Sequence, residues 1–155
     1  MTGLWLVLSG ASLSAFLAGI GSAIGCGIVG RAAAGVTVED PGKFGRLFLL
    51  QALPGTQGFY GLVGLFLTLQ KLAGAEITKI TIEQGLQTVF ACIPVGVVGL
   101  ISAIHQGLVC ASGCSIVAKR PEEVGKAFIY GVMVETYAIL GLVSTVLLLG
   151  NIQLG

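Results

Sequence analysis

Gly19-Ile-Gly-Ser-Ala-Ile-Gly-Cys-Gly27 returns eighty residues later as Gly99-Leu-Ile-Ser-Ala-Ile-His-Gln-Gly107. The same shift aligns the two halves without a gap. Pro41 falls on Pro121, Gly45 on Gly125, Phe48 on Phe128, Thr56 on Thr136, and Gly61-Leu-Val on Gly141-Leu-Val. A fixed period of this kind marks a duplicated structural unit. The charges show what the unit is. Lys, Arg, Asp and Glu gather near 31–46, 71–83 and 119–126, leaving apolar stretches at about 4–34, 44–70, 85–117 and 124–150. Roughly 20 apolar residues suffice for a helix to cross the hydrocarbon of a bilayer. Barrel strands would alternate in polarity, and runs such as Val143–Gly150 do not. The expected fold is an all-α membrane protein of four transmembrane helices. They form two helical hairpins, residues 1–75 and 80–155. A shift of two helices keeps the orientation, so the duplication is parallel, unlike the inverted repeats of many transporters.

Composition excludes the main alternatives. Of 155 residues, 55% are hydrophobic and 10% charged, against roughly 25% charged in a soluble domain. Mean hydropathy is +0.99. Eight Lys/Arg and seven Asp/Glu cannot cover a soluble surface, and a net charge of +1 offers no basic face for nucleic acid. The first basic residue is Arg31, so the N-terminal span lacks the basic start of a signal peptide. Six Lys/Arg (Arg31, Lys43, Arg46, Lys119, Arg120, Lys126) lie in the first and third loops, against Lys71 and Lys79 in the middle one. That bias places the 1–2 and 3–4 loops in the cytoplasm.

Small residues recur every fourth position at Ala15, Gly19, Ala23 and Gly27, and at Gly99, Ala103, Gly107, Ala111 and Ser115. Lipid supplies no hydrophobic drive for helix association, so such stripes suit close helix packing. The first helix of each hairpin is therefore expected in a crowded layer, with the bulkier second helices outside.

Glu135 is the one acidic residue inside a span. Placing an ionisable side chain at such depth costs about 2.5–3.5 kcal/mol on insertion scales. Depth can be counted from the equivalent prolines Pro41 and Pro121. Gln57 lies 16 residues past the first, Glu135 lies 14 past the second, and Gln106 lies 15 before it. All three fall about 20–24 Å from one plane. Leu53, Thr56, Gln57 and Tyr60 share one helical face. Pro54 deprives a carbonyl one turn earlier of its N–H partner, and Gly55 and Gly58 loosen the same turn. Oxygen-rich, irregular backbone inside a bilayer lines protein or a cavity. The set suits a hard cation. A carboxylate paired with a cation or a proton can face lipid, and a bare one cannot do so cheaply.

Leu53-Pro-Gly-Thr-Gln-Gly-Phe-Tyr60 and Val134-Glu-Thr-Tyr-Ala-Ile-Leu-Gly141, with Pro-Gly-Lys-Phe-Gly at 41–45 and Lys-Arg-Pro-Glu at 119–122, resemble the proteolipid (K, or c-type) subunits of V-type ATPases. The likeness spans almost the whole chain. It implies a multi-copy rotor ring of identical subunits in a membrane, turned by ATP hydrolysis elsewhere in the complex. The chain itself is then not an enzyme. The likeness also implies a stator subunit with an essential arginine and a central-stalk subunit on the cytoplasmic face. Glu135 would be the single ion carrier, its repeat equivalent being Gly55. The sodium-binding bacterial members are similar at each ligand: the Leu53 carbonyl, Thr56, Gln57, Gln106 and Glu135, with Tyr60 hydrogen-bonding the carboxylate. The resemblance therefore implies Na+ as the ion and a bacterial plasma membrane as the location, with H+ as the alternative ion. A four-helix cation or drug antiporter and a purely structural tetraspan subunit are the rival readings. His105, beside Gln106, is expected to face away from the site. Cys110 and Cys114 share a face without a His or carboxylate partner, which is a weak zinc signal.

Overall fold

The computed structural model describes residues 1–155. Four helical rods lie side by side. The first is α1, Thr2–Glu39. The second joins α2, Phe44–Ala52, to α3, Thr56–Ala73, through a 3-10 turn at Leu53–Gly55. The third joins α4, Ile82–Ile93, to α5, Gly99–Lys119, through a π-helical segment at Pro94–Val98. The fourth is α6, Val124–Asn151.

Three rods are long and apolar enough to cross a membrane: Thr2–Glu39, Ile82–Lys119 and Pro121–Asn151. The second differs from the expectation that all four rods are long, apolar membrane spans. Its 3-10 break divides it into pieces of 9 and 18 residues, and Gln57, Gln70 and Lys71 dilute the longer one. It nonetheless packs along α1 and α6, sharing their length.

Both breaks sit at prolines inside helices. A proline removes one helical hydrogen bond and collides with the carbonyl four residues back. At Pro54 the chain tightens into the 3-10 turn. At Pro94 it widens into the π segment, and the Val95 N–H donates to Thr145 Oγ1 at 3.1 Å.

α1 packs along α4–α5 on one side and α3 on the other, and α5 packs on α6. The α1–α5 contact is backbone on backbone. A Cβ added at Gly107 would lie 2.6 Å from the Gly25 Cα, and one at Gly21 would lie 2.6 Å from the Leu100 Cα. The stripe Gly99–Ala103–Gly107 is buried in this contact, as its spacing suggests. Its counterpart on α1 is not. Ala23 and Gly27 are exposed, and a Cβ at Gly19 or Gly27 would meet nothing within 4 Å. α1 presents Gly3, Gly10, Gly21 and Gly25 to the third rod instead. The reason is geometric: hairpin one uses one flank of α1 against hairpin two, and the flank equivalent to the buried α5 stripe is left free.

Gly107→Ala forces α1 and α5 apart and is expected to cost about 1–3 kcal/mol. Gly35→Ala meets nothing within 4 Å and is expected to be neutral or slightly stabilising. Thermal unfolding of the two detergent-solubilised variants checks the contrast.

Lysine side chains staple the rod ends. Lys43 Nζ donates to the Ala118 carbonyl at 2.8 Å, and Lys71 Nζ to the Ile152 carbonyl at 2.7 Å. Each supplies a cation to the C-terminal carbonyls of another rod, where the helix dipole favours it.

Candidate functional site

The polar residues of three rods meet where the second rod is broken. Pro54 fixes the 3-10 turn, which carries the Leu53 carbonyl, the Thr56 hydroxyl and the Gln57 amide, and Gln57 reaches from it to Gln106 on α5. Thr56 Oγ1 lies 2.9 Å from the Leu53 carbonyl oxygen and 3.3 Å from Gln57 Oε1. One hydroxyl proton thus faces two acceptors, and three oxygens gather on one turn. Gln57 is fully buried and donates through Nε2 to Gln106 Oε1 at 2.6 Å. Gln106, also fully buried, donates through Nε2 to the Gly131 carbonyl at 3.0 Å and to Glu135 Oε2 at 3.2 Å. Tyr60 Oη donates to Glu135 Oε1 at 2.6 Å.

Both carboxylate oxygens of Glu135 therefore accept a hydrogen bond, and the side chain is buried. An amide N–H can only donate, so Gln106 favours an oxygen that carries charge or lone pairs. No buried side-chain polar atom lacks a partner, which is what a low-dielectric setting demands. All six residues singled out from the sequence, Leu53, Thr56, Gln57, Tyr60, Gln106 and Glu135, belong to one connected network.

Two participants were not singled out. The Gly131 carbonyl anchors the Gln106 amide one turn before Glu135. Ser22 Oγ on α1 accepts the Gly58 N–H at 2.8 Å and steadies the turn that carries Gln57. A helical glycine carbonyl and a small hydroxyl in a small-residue stretch leave no distinguishing pattern in sequence. Only the packing selects them.

His105 is exposed while Gln106 is buried, so the two face apart. Cys110 and Cys114 lie in an apolar cluster with Leu47, Leu50, Leu53 and Val117. No group of three or more His, Cys, Asp or Glu side chains could hold a metal ion.

Tyr60→Phe removes one donor to the carboxylate. A hydrogen bond to a charged group contributes about 1.5–3 kcal/mol, which is tenfold or more in an equilibrium. Carbodiimide, which attacks a protonated carboxyl, is expected to label Glu135 about tenfold faster in this variant at neutral pH.

A family model for the ATP synthase C-subunit matches the chain twice, at residues 9–68 and 89–148. The chain belongs to the ATP synthase C-subunit family. The V-type sodium ATPase subunit K of Enterococcus hirae is 47% identical, over 94% of this chain and 90% of that protein. The A-type ATP synthase subunit K of Methanocaldococcus jannaschii is 41% identical, over 94% of this chain and 62% of that longer protein. As a member of this family, the chain is a non-catalytic, ion-translocating proteolipid of a V/A-type ATPase. The two family matches start eighty residues apart, and only the second contains a carboxylate at the site. Glu135 falls on Gly55, and Gln106 on Cys26. One carboxylate per duplicated chain is available to carry charge.

Proposed function

We propose that this chain is the rotor-ring subunit of a V-type ATPase and carries Na+ across the membrane on Glu135. The observation that carries the reading is the set of five oxygens around the broken turn: Leu53 O, Thr56 Oγ1, Gln57 Oε1, Gln106 Oε1 and one Glu135 carboxylate oxygen. Hard cations take oxygen ligands of this mixed kind. The hydrogen bonds that hold these oxygens together without a cation also hold them near one another. On capture, Na+ takes over from the Thr56 hydrogen bonds and the Gln57–Gln106 bond as the link between these oxygens, and the Thr56 hydroxyl keeps its proton. Gln106 keeps its bond to the Gly131 carbonyl, and Tyr60 keeps its bond to the carboxylate. The sodium ATPase subunit among the relatives supports the same ion.

The mechanism is electrostatic. With Na+ bound, the site is neutral as a pair, and the subunit can sweep past lipid. The bare carboxylate cannot do so cheaply. Release then requires a water-lined exit or an opposing cation, which in this reading is the arginine of a stator subunit. ATP hydrolysis on other subunits supplies the torque through a central stalk. The stalk meets the ring at the 1–2 and 3–4 loops, which the Lys/Arg bias puts on the cytoplasmic side.

Carbodiimide labelling of Glu135 tests the ion. At near-neutral pH, Na+ at ten times its Kd leaves about one site in eleven free, so labelling is expected to slow about tenfold. Lowering the pH reverses the protection, because protons compete for the same carboxylate. If Na+ gives no protection while acid still speeds labelling, the carrier is H+ on the same glutamate.

A further inference from the structure

We propose that Ser22 and Ser14 on α1 are positioning residues for the cation: their hydroxyls clamp the backbone of the broken rod, and the clamp gives the site its preference for Na+ over H+. This rests on the sodium reading above.

The broken rod brings three of the five oxygens, Leu53 O, Thr56 Oγ1 and Gln57 Oε1, and it is the rod least able to hold its own shape. The 3-10 turn at Leu53–Gly55 interrupts its helical hydrogen bonds, and glycines follow at 58 and 61. α1 holds what the rod cannot. Ser22 Oγ accepts the Gly58 N–H at 2.8 Å. Ser14 Oγ donates to the Ala11 carbonyl at 2.7 Å and also lies 3.2 Å from the Gly61 carbonyl oxygen. Both serines are buried. One grips a backbone donor and the other a backbone acceptor. Gly58 directly follows Gln57, and Gly58 and Gly61 flank Tyr60. The glycines make the approach possible. A Cβ at Gly58 would lie 3.3 Å from Ser22 Oγ, and one at Gly61 would run into the Ser14 carbonyl.

The duplication supplies a comparison. Eighty residues on, Ser22 becomes Ser102, Ser14 becomes Pro94 and Gly58 becomes Ala138. Ser102 Oγ donates to the Gly99 carbonyl of its own helix at 3.3 Å, and Pro94 has no hydroxyl. Hairpin two therefore lacks the clamp. Its outer rod, α6, runs unbroken from Val124 to Asn151, and its own helical hydrogen bonds fix the position of Glu135. The clamp stands only in the half whose outer rod is broken and whose ligands are neutral oxygens.

The two ions depend on this clamp differently. A hard cation needs several oxygens at once, so Na+ is sensitive to the spacing between the broken rod and α6. A proton needs only the carboxylate on α6. With the clamp in place the turn is ordered before the ion arrives, and that ordering is no longer a cost of binding. Fixing the backbone of one residue shifts an equilibrium by about tenfold. Ser22→Ala is therefore expected to weaken Na+ about tenfold and to leave proton binding nearly untouched. The titratable neighbours of Glu135 are Tyr60, which bonds it from α3, and Cys110 of α5, which lies beside Gly131. Both stay in place in this variant, because Ser14 still holds Gly61 beside Tyr60.

The test takes two readings of carbodiimide labelling of Glu135 in the purified, assembled protein. One is the Na+ concentration that halves labelling at fixed near-neutral pH. The other is the pH of half-maximal labelling without Na+. Ser102→Ala is the control, a buried inner-helix serine whose hydroxyl stays within its own helix. Ser22→Cys runs beside Ser22→Ala, since a thiol fills the space but accepts only weakly. The expected result is a sodium midpoint about tenfold higher in Ser22→Ala, raised in the same direction in Ser22→Cys, and within about twofold of the parent in Ser102→Ala. Proton affinity is expected to stay within about twofold in all three. An unchanged sodium midpoint in Ser22→Ala, or in Ser22→Cys where the alanine variant does not assemble, overturns the clamp and leaves the sodium reading intact. Sodium and proton half-points that shift together overturn it too, as does a Ser102→Ala shift equal to that of Ser22→Ala. A parent protein that Na+ does not protect removes the sodium reading and this inference together.

Discussion

Glu135→Gln is expected to abolish ATP-driven ion transport while leaving assembly intact. Glutamine has nearly the same volume, and its carbonyl oxygen can still accept from Tyr60, so the packing of α6 against α3 and α5 survives. What it lacks is a charge to cancel that of the cation. Four neutral side-chain oxygens and the Leu53 carbonyl oxygen cannot neutralise a cation in a low-dielectric setting, and an uncompensated buried charge is very costly. The equivalent position in the first half is Gly55, so no second carrier can take over. Uptake of ²²Na+ or protons into sealed vesicles energised with ATP should fall to the uncatalysed leak. Particle mass should match the parent protein, and thermal stability should fall only by the one hydrogen bond that Gln106 Nε2 loses when it faces the new amide, about 1–3 kcal/mol. Transport surviving in this variant would remove Glu135 as the carrier.

Gln106→Leu should produce the second largest effect, and by a different route. Gln106 makes three hydrogen bonds: the one from Gln57 links the two hairpins, and those to the Gly131 carbonyl and to Glu135 tie α5 to α6 within hairpin two. Leucine leaves the Gln57 amide and the Gly131 carbonyl buried without this partner, each at a cost of about 1–3 kcal/mol. It also deletes an oxygen ligand and a donor to the carboxylate. The variant should lose several kcal/mol of stability. The midpoint of Na+ protection against carbodiimide should rise about a hundredfold or more, a shift of roughly 2.8 kcal/mol. Thermal unfolding and protection curves read the two effects separately. A variant that unfolds at lower temperature but keeps the parent's sodium midpoint would show that Gln106 braces the hairpins and does not bind the ion.

The site was more legible in the sequence than the helix packing. Glu135, Gln57 and Gln106 declare themselves because strongly polar side chains are expensive in a bilayer, and counting from Pro41 and Pro121 puts them at one depth. Pro54 likewise announces a broken turn. The form of the break was not legible at Pro94, where the helix widens into a π segment received by Thr145. A proline states that a hydrogen bond is lost, and the neighbouring rod decides whether the turn tightens or opens. The two small-residue stripes look equivalent in sequence, yet Gly99–Ala103–Gly107 is buried against α1, whereas on α1 Ala15 and Gly19 lie against α3 and only Ala23 and Gly27 are exposed. Spacing gives the existence of a close-packing face, and only the partner determines which copy of it is filled. Ser22 is a further instance. Its value lies in one backbone N–H of another rod, which no local pattern reveals.

The sodium content of the purified assembly is the most direct test. Equilibrated with ²²Na+ at near-neutral pH and freed of unbound ion, it should retain one Na+ per chain, exchangeable for protons at lower pH and absent from Glu135→Gln. An assembly of full size that retains no sodium, or a Glu135→Gln variant that retains as much as the parent, would contradict a cation held on that carboxylate.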